Sequence, residues 1–491
     1  MFCAVALAQS DCRGKKLILL QAEKIAVLAA DKRLVEPVSF ALPAGKAVTI
    51  LGESGSGKSL LAQAVLGSLP PGLSACGRLR VGIDDFDPAR PQANRMLWGR
   101  RIAVLPQEPW LALSPLMSGH QQVAEVHRLV ANTPDPSGRA KADLDELGLH
   151  GAGSKFPWEL SGGMAQRVAF AAARAGGANV VIADEPTKGL DAHRRDDVLA
   201  LLRRGLENGG GLLTITHDIA LAEGLGGEIL VMQGGTVVER GPAALVLSQP
   251  EHPYTHALIE ADPERWPRRT SVSEGACVFS ADGLTVSRGG RQLFAPLQFS
   301  ISRGQILGVF GPSGCGKSTL GNALLGLLNY EGRLWRDPAI PKLGFQKLWQ
   351  DPPAAFPPRI TLEQGLDDLL HLHKLDRVRI PPLMDRLKLT PDLIKRRPGE
   401  ISGGELQRIA LLRALLLDPA FLFADEPTSR LDPVTQAETI RLMADVVAER
   451  SMAMMIVSHD RKLLEAISDQ VLELQPKTNH ASHLQVMSLT R

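Results

Sequence analysis

The sequence predicts an α/β protein made of two tandem copies of one domain, and three observations carry that prediction. The first is the octet Gly52-Glu53-Ser54-Gly55-Ser56-Gly57-Lys58-Ser59, set between the apolar run Ala47–Leu51 and an apolar helix start at 60–66. This is G-x-x-x-x-G-K-S in the order strand, glycine loop, helix. The second is a repeat of the octet, Gly311-Pro312-Ser313-Gly314-Cys315-Gly316-Lys317-Ser318, after the strand-like run Ile306–Phe310. One chance octet in a chain of this length has a probability of roughly 2%, so two in matching contexts point to duplication. The third is that the surrounding landmarks recur in one order.

Taken along the chain, Val38-Ser39-Phe40-Ala41-Leu42-Pro43-Ala44-Gly45 leads into the first octet, and Leu297-Gln298-Phe299-Ser300-Ile301-Ser302-Arg303-Gly304 leads into the second. Their alternating apolar residues read as antiparallel strands, with the glycine at the turn. Next come Leu105-Pro106-Gln107-Glu108-Pro109 and Leu348-Trp349-Gln350-Asp351-Pro352. Leu160-Ser161-Gly162-Gly163 is echoed by Ile401-Ser402-Gly403-Gly404. Ala183-Asp184-Glu185-Pro186-Thr187 is echoed by Ala424-Asp425-Glu426-Pro427-Thr428, and Thr216-His217-Asp218 by Ser458-His459-Asp460. The expected boundaries are a leader at 1–16, a first domain at 17–265, a linker at 266–275, a second domain at 276–478 and a tail at 479–491. The second copy is shorter between its glycine loop and Gln350, so the strands inserted there should be trimmed.

Bulk properties narrow the class. At 491 residues the chain is too long for one core. Hydrophobic residues at 44% and charged residues at 22% are ordinary for a globular protein, and a net charge of +2 argues against a dedicated nucleic-acid binder. The cysteines Cys3, Cys12, Cys76, Cys277 and Cys315 are scattered without a C-x-x-C, which fits a reducing compartment. No apolar run is long enough to span a bilayer. Residues 1–9 are apolar but lack a basic start, so a disordered leader or an upstream start codon is expected there rather than a signal peptide.

The motifs state a chemistry. Glycine loops let successive backbone N–H groups turn toward a phosphate at a helix N-terminus. Lys58 and Lys317 would reach the β- and γ-phosphates of a nucleotide, while Ser59 and Ser318 would hold Mg²⁺. Each Asp-Glu pair ends a strongly apolar strand, at the sheet edge where α/β proteins bind ligands. Asp184 and Asp425 would serve the metal, and Glu185 and Glu426 would polarise an attacking water. His217 and His459, ending another apolar strand, read as γ-phosphate sensors; Gln107 and Gln350 could complete the metal and water shell. Each Ser-Gly-Gly opens a helix, at 164–174 and 405–417, and offers a further anion cradle.

With these residues in place, the chain resembles the ATP-binding subunits of ABC transporters over nearly all of its length. Walker A, Q-loop, signature, Walker B, D-loop (Gly189-Leu190-Asp191; Arg430-Leu431-Asp432) and H-loop each occur twice. The resemblance implies two tandem P-loop NTPase domains, each with a mainly parallel core sheet, an antiparallel β subdomain and a helical signature subdomain. It implies ATP and Mg²⁺ as cofactors and head-to-tail pairing of the two halves. One site would then combine Lys58, Ser59, Gln107, Asp184, Glu185 and His217 with Ser402-Gly403-Gly404. The other would combine Lys317, Ser318, Gln350, Asp425, Glu426 and His459 with Ser161-Gly162-Gly163. Because neither glutamate is replaced, both sites are expected to hydrolyse ATP.

Glu251-His252-Pro253-Tyr254-Thr255-His256-Ala257-Leu258, Phe156-Pro157-Trp158-Glu159 and Ser114-Pro115-Leu116-Met117 resemble the peptide/nickel importer branch. That branch implies two integral-membrane permease subunits docked near 107–116 and 350–359, an extracytoplasmic substrate-binding protein, no nucleic acid, and a peripheral place at the cytoplasmic face of the membrane. The solute would be a peptide, nickel or a metal chelate. A twin ATPase acting on ribosomes or nucleic acid, or the energising subunit of an exporter, is the competing reading. No iron–sulfur cluster is expected, since the tail has no cysteines. The family's adenine-stacking aromatic is replaced by Leu28 and Ser287, with Arg288 or an apolar contact as substitutes. Cys315 is either a small residue filling a small space or a thiolate favoured by the helix N-terminus. His371, His373, His480 and His483 read as exposed histidines rather than metal ligands.

Overall fold

A computed structural model describes residues 17–30, 32–53, 55–90, 97–105, 112–187, 192–269, 275–289, 291–312, 314–429, 431–475 and 487–488. The chain divides into two compact units, 1–259 and 260–491. Ser54, Gln107, Ser313, the D-loop residues Gly189, Leu190, Asp191 and Arg430, and His480 and His483 lie outside the described residues.

In the first unit the central sheet has six strands in the order Thr236–Pro242, Glu228–Gln233, Ala47–Leu51, Gly211–Thr216, Val180–Asp184, Ile102–Leu105. All neighbouring pairs are parallel except the edge strand Thr236–Pro242. Every residue of Ala47–Leu51 and of Gly211–Thr216 is buried. Helices cover both faces of such a sheet, which is why these strands read as unbroken apolar runs. A second sheet is antiparallel, in the order Lys32–Pro43, Ile18–Ala29, Leu73–Val81, Asp84–Phe86.

The second unit repeats the plan. Its central sheet runs Phe345–Leu348, Phe421–Asp425, Ala453–Val457, Ile306–Phe310, Gln470–Glu473, Met487–Ser488, parallel up to the last pair. The antiparallel sheet has three strands here, Leu297–Ser302, Cys277–Thr285 and Glu331–Arg336, against four in the first unit. Among the described residues the trimmed segment is the one between glycine loop and Gln350, as the shorter sequence there requires.

The division at 259/260 differs from the domain edges expected at 265 and 276. Residues 260–269 pack on the second unit because they carry groups that want burial. Trp266 is 8% exposed and sits in the same core as Ile306, Leu464 and Met443, with the Arg441 guanidinium 4.8 Å from its ring centre. Arg269 donates its backbone N–H to the Ala466 carbonyl and a guanidinium N–H to the Gly304 carbonyl. Glu264 pairs with Lys462.

Candidate functional site

The two glycine loops are built alike. Gly57 and Gly316, at φ 95° and 105°, turn the chain into the helices Lys58–Leu66 and Lys317–Leu324. That left-handed backbone is open to glycine at little cost. Gly52 and Gly311 are needed for another reason. A Cβ there would lie 2.3 Å from the Met232 carbonyl oxygen and 2.6 Å from that of Leu474, so only glycine lets the loop cross the neighbouring strand end. Lys58 Nζ donates to the carbonyls of Gly52 and Glu53, both at 2.7 Å. Lys317 Nζ does the same to Gly311 at 2.7 Å and Pro312 at 3.1 Å. In the first loop the Ser56 hydroxyl is buried without a hydrogen-bond partner.

Cys315 settles one of the open alternatives. Its side chain is 3% exposed, and its Sγ would meet a Cβ on Gly311 at 2.8 Å. Burial pushes the thiol up, against the Lys317 charge and local backbone N–H groups. Of the two alternatives, burial favours the small, packed thiol, because desolvation outweighs the Lys317 charge and the backbone N–H groups.

Beside each loop stands an Asp-Glu strand end. Ser318 Oγ donates to Asp425 Oδ1 at 2.8 Å, a pair of hard oxygens of the kind Mg²⁺ takes. The other carboxylate oxygen, Oδ2, lies 3.6 Å from Lys347 Nζ. Burial raises Asp425 above the usual carboxylate range, with the Ser318 hydrogen bond and the Lys347 charge opposing it. Burial likewise pulls Lys347 down, against Asp425.

The glutamates share a backbone feature that no local sequence signal announced. Glu185 and Glu426 both sit at φ 47°, the left-handed region that a non-glycine residue occupies at a cost of order 1 kcal/mol or more. The backbone N–H of each is held by the neighbouring parallel strand, at Ile215 and Val457. His217 Nδ1 stands 2.9 Å from Glu185 Oε1, and the Thr216 hydroxyl donates to Oε2 at 3.3 Å. In the second unit His459 Nε2 is 2.7 Å from Glu426 Oε1, and Gln350 Nε2 donates to Oε2 at 2.8 Å. For Glu185, burial pushes the carboxyl up, but the His217 hydrogen bond and the His217 and Lys58 charges hold it below its ordinary value. For Glu426 the His459 hydrogen bond is the largest influence and burial the second, again leaving the carboxyl lowered. Each histidine is fixed from behind, because Asp218 and Asp460 cap the next helix through backbone N–H groups at Leu221 and at Lys462 and Leu463.

The helices opened by the Ser-Gly-Gly segments start two residues earlier than the expected 164 and 405, and the second ends at Leu415 rather than 417. Ser161 and Ser402 are the caps, and the helices run Gly162–Arg174 and Gly403–Leu415. Both serines and the first glycine after each are exposed, whereas Gly163 is half-buried and Gly404 buried. Glu405 closes a reciprocal capping box on Ser402; Met164 stands at that place in the first unit and closes none. Leu28 is half-buried, and Ser287 and Arg288 are exposed. His371 and His373 lie in the last turn of the helix Leu362–His373, the first exposed as expected and the second half-buried.

One contact reaches the site from far along the chain. The Tyr254 hydroxyl accepts the Glu53 backbone N–H at 2.7 Å. The His-Pro-Tyr-Thr motif was legible as a resemblance, but nothing in it announced a hand on the glycine loop.

In each unit a glycine loop at a helix N-terminus faces the carboxyl ends of parallel strands, with the strand-end Asp and Glu beside it. That arrangement defines a P-loop nucleotide-binding domain, present twice. The profile of the ABC transporter family matches residues 35–188 and 294–429, more than half of the sequence, and the chain belongs to that family. It is 33% identical over 482 residues to the ABC transporter ATP-binding protein YejF of Escherichia coli (strain K12), covering 90% of each chain. It is 31% identical to the peptidoglycan transport ATP-binding protein YejF of Agrobacterium fabrum (strain C58), over 90% of this chain and 87% of that one. To the glutathione import ATP-binding protein GsiA of Escherichia coli (strain K12) it is 32% identical, over 89% of this chain and 81% of that one. The solved structure of an RNase-L inhibitor superposes with a TM-score of 0.59 over 92% of this chain and 88% of that one, at 22% identity. That last likeness speaks for the fold alone.

Proposed function

We propose that this chain hydrolyses ATP at both glycine loops and that the turnover drives import of a peptide-class solute through separate membrane permease subunits. The observation that carries the reading is the matched pair of glutamates. Each is held in a costly backbone conformation by a neighbouring strand, ionised by its histidine, and set beside a loop lysine. Strain of this kind persists where a precise side-chain position is needed, and a lowered carboxyl pKa keeps the base ionised at neutral pH.

In this reading Ser318 and Asp425, and correspondingly Ser59 and Asp184, would hold Mg²⁺, with Gln350 and Gln107 at its water shell. Bound there, the ion would supply Lewis-acid stabilisation of phosphate charge. The lysines would exchange loop carbonyls for phosphate oxygens. Glu185 and Glu426 would orient the attacking water and take its proton, while His217 and His459 hold the carboxylates in place.

Import and the solute class rest on the relatives. Their names cite glutathione, which is a tripeptide, and peptidoglycan, which contains peptide bridges. Among the described residues no helix is long and apolar enough to cross a membrane, so the reading assigns translocation to permease partners and this chain to the cytoplasmic face. Co-purification with two permease subunits, followed by ATPase assays in proteoliposomes with a loaded substrate-binding protein, tests it. Stimulation several-fold by the loaded binding protein is expected. An ATPase that ignores permease and binding protein but responds to ribosomes would overturn it.

A further inference from the structure

The helices that begin at the two Ser-Gly-Gly segments make different use of the same residues. In the first unit Gln166, 4% exposed, donates from Nε2 to the Pro186 carbonyl at 3.2 Å. Its neighbour Arg167 donates from Nε to the Gly163 carbonyl at 3.3 Å. The glutamine's bond ties the helix Gly162–Arg174 to the residue that follows Glu185. In the second unit Gln407 and Arg408 hold the same two places, five and six residues beyond the capping serine. Gln407 is 1% exposed, yet among the described residues neither its Nε2 nor its Oε1 has a hydrogen-bond partner. Arg408 Nε is likewise buried without one.

A buried donor or acceptor left unmatched keeps the whole penalty of leaving water, and native proteins hold few such groups. The acceptor that Gln407 would take stands where its counterpart's does: Pro427 follows Glu426 directly, as Pro186 follows Glu185, and is buried. A second amide already bears on this spot, since Gln350 Nε2 donates to Glu426 Oε2 at 2.8 Å. If Gln350 turns to the metal's water shell, as in the function proposed above, the Glu426 carboxylate keeps only His459 of those two contacts. A bond from Gln407 to the Pro427 carbonyl would then brace the backbone next to it.

We propose that the helix Gly403–Leu415 has two arrangements, the one seen here with Gln407 unpaired and one in which Gln407 donates to the Pro427 carbonyl, and that nucleotide at the Lys317 loop favours the second. The inference rests on reading both loops as nucleotide sites. Gln407 acts through the Glu426–Pro427 peptide, so it is a positioning residue rather than a catalytic one. A ligand shifts such an equilibrium by its differential affinity for the two arrangements, and the new bond is that difference. In the first unit the corresponding bond is already made, so nucleotide has none to add there. The two glutamines are therefore expected to answer the same substitution in opposite senses.

The test uses the intact chain with methionine at each place, which fills a similar volume without a hydrogen-bonding amide. In scanning calorimetry without nucleotide, Gln407→Met should raise the melting temperature by about 2–4 °C, because it removes an unpaired amide. Gln166→Met should lower it by about as much, because it strands the Pro186 carbonyl. Titration with adenylyl imidodiphosphate and Mg²⁺ then reads the second site in a Lys58→Ala background and the first in Lys317→Ala. Gln407→Met should weaken binding at the second site about two- to twelvefold. Gln407→Asn keeps an amide but is one methylene short, so it should weaken binding as much without raising the melting temperature. Gln166→Met should leave the first site within about twofold of its parent. A Gln407→Met chain that melts below its parent or fails to fold, or one that binds as tightly as its parent, would overturn the proposal. Parent chains that bind no adenylyl imidodiphosphate in either background would instead overturn the nucleotide reading itself, and this inference with it.

Discussion

Replacing Tyr254 by Phe deletes one oxygen from the first unit and should weaken nucleotide binding there and nowhere else. The ring is 7% exposed, so packing survives the change. What is lost is the acceptor for the Glu53 N–H, a 2.7 Å hydrogen bond joining the end of the domain to the second residue of the glycine loop. The same residue's carbonyl takes the Lys58 ammonium at 2.7 Å. The tail is itself anchored, since the Glu239 carboxylate accepts the backbone N–H groups of Glu251 and His252 at 3.0 and 2.9 Å. A neutral hydrogen bond of this kind contributes about 0.5–1.5 kcal/mol net. If loop order is what it supports, ATP affinity at the first site should fall about two- to twelvefold. The second copy has no His-Pro-Tyr-Thr tail, so it is the internal control. Calorimetric titration of Tyr254→Phe in Lys317→Ala and Lys58→Ala backgrounds separates the two sites. Equal losses at both sites would mean a general destabilisation, and no loss at the first would mean the tail does not steady the loop. Either result refutes the reasoning.

Glu185→Gln and Glu426→Gln should each lower steady-state ATP turnover, and together lower it by about 10²-fold or more; turnover abolished by the first and indifferent to the second would leave one hydrolysing site. The pH dependence follows from the lowered glutamates. A folded-state pKa below the unfolded value gives stabilisation that is complete above the ordinary carboxylate pKa and lost as pH falls through the lowered one. His459→Ala removes the largest lowering influence on Glu426, so the acid limb of the second site's pH–rate profile should move to higher pH. A limb that stays in place would separate His459 from the ionisation of Glu426. Cys315 should resist alkylation in the native chain while exposed Cys76 reacts, as peptide mass spectrometry of iodoacetamide-treated protein can read; faster labelling of Cys315 would contradict its burial.

What could be read from the sequence was whatever is local. A glycine loop, an apolar strand ending in Asp-Glu and a Ser-Gly-Gly before a helix each carry their geometry within a few residues, so Lys58, Ser318, Glu185 and Ser402 fell where the motifs put them. Tyr254 did not, because its partner is 201 residues away and hydrogen-bond pairing at that separation leaves no spacing to recognise. Residues 266–275 were expected to form a linker between the domains. The burial of Trp266 beneath Arg441 depends on a helix more than 150 residues downstream. The left-handed backbone at Glu185 and Glu426 was hidden for the opposite reason: it contradicts local preference and is imposed by the sheet.

Duplication makes the mismatches between the copies more informative than the matches. Residues that must meet the same chemistry recur without change, as the loop lysines, strand-end Asp-Glu pairs and histidines do. Among the differences between the copies, three bear on groups common to both. Tyr254 bears on the first glycine loop, Lys347 on the second strand-end aspartate, and Glu405 on the second Ser-Gly-Gly cap. Each adds or removes one polar contact to a group common to both units. A worn-out copy would instead lose the common groups first, because a single substitution at Lys317, Asp425 or Glu426 is enough to disable it. The second unit has kept all of them, with Lys347 set 3.6 Å from Asp425, which is what the proposed hydrolysis at both loops requires.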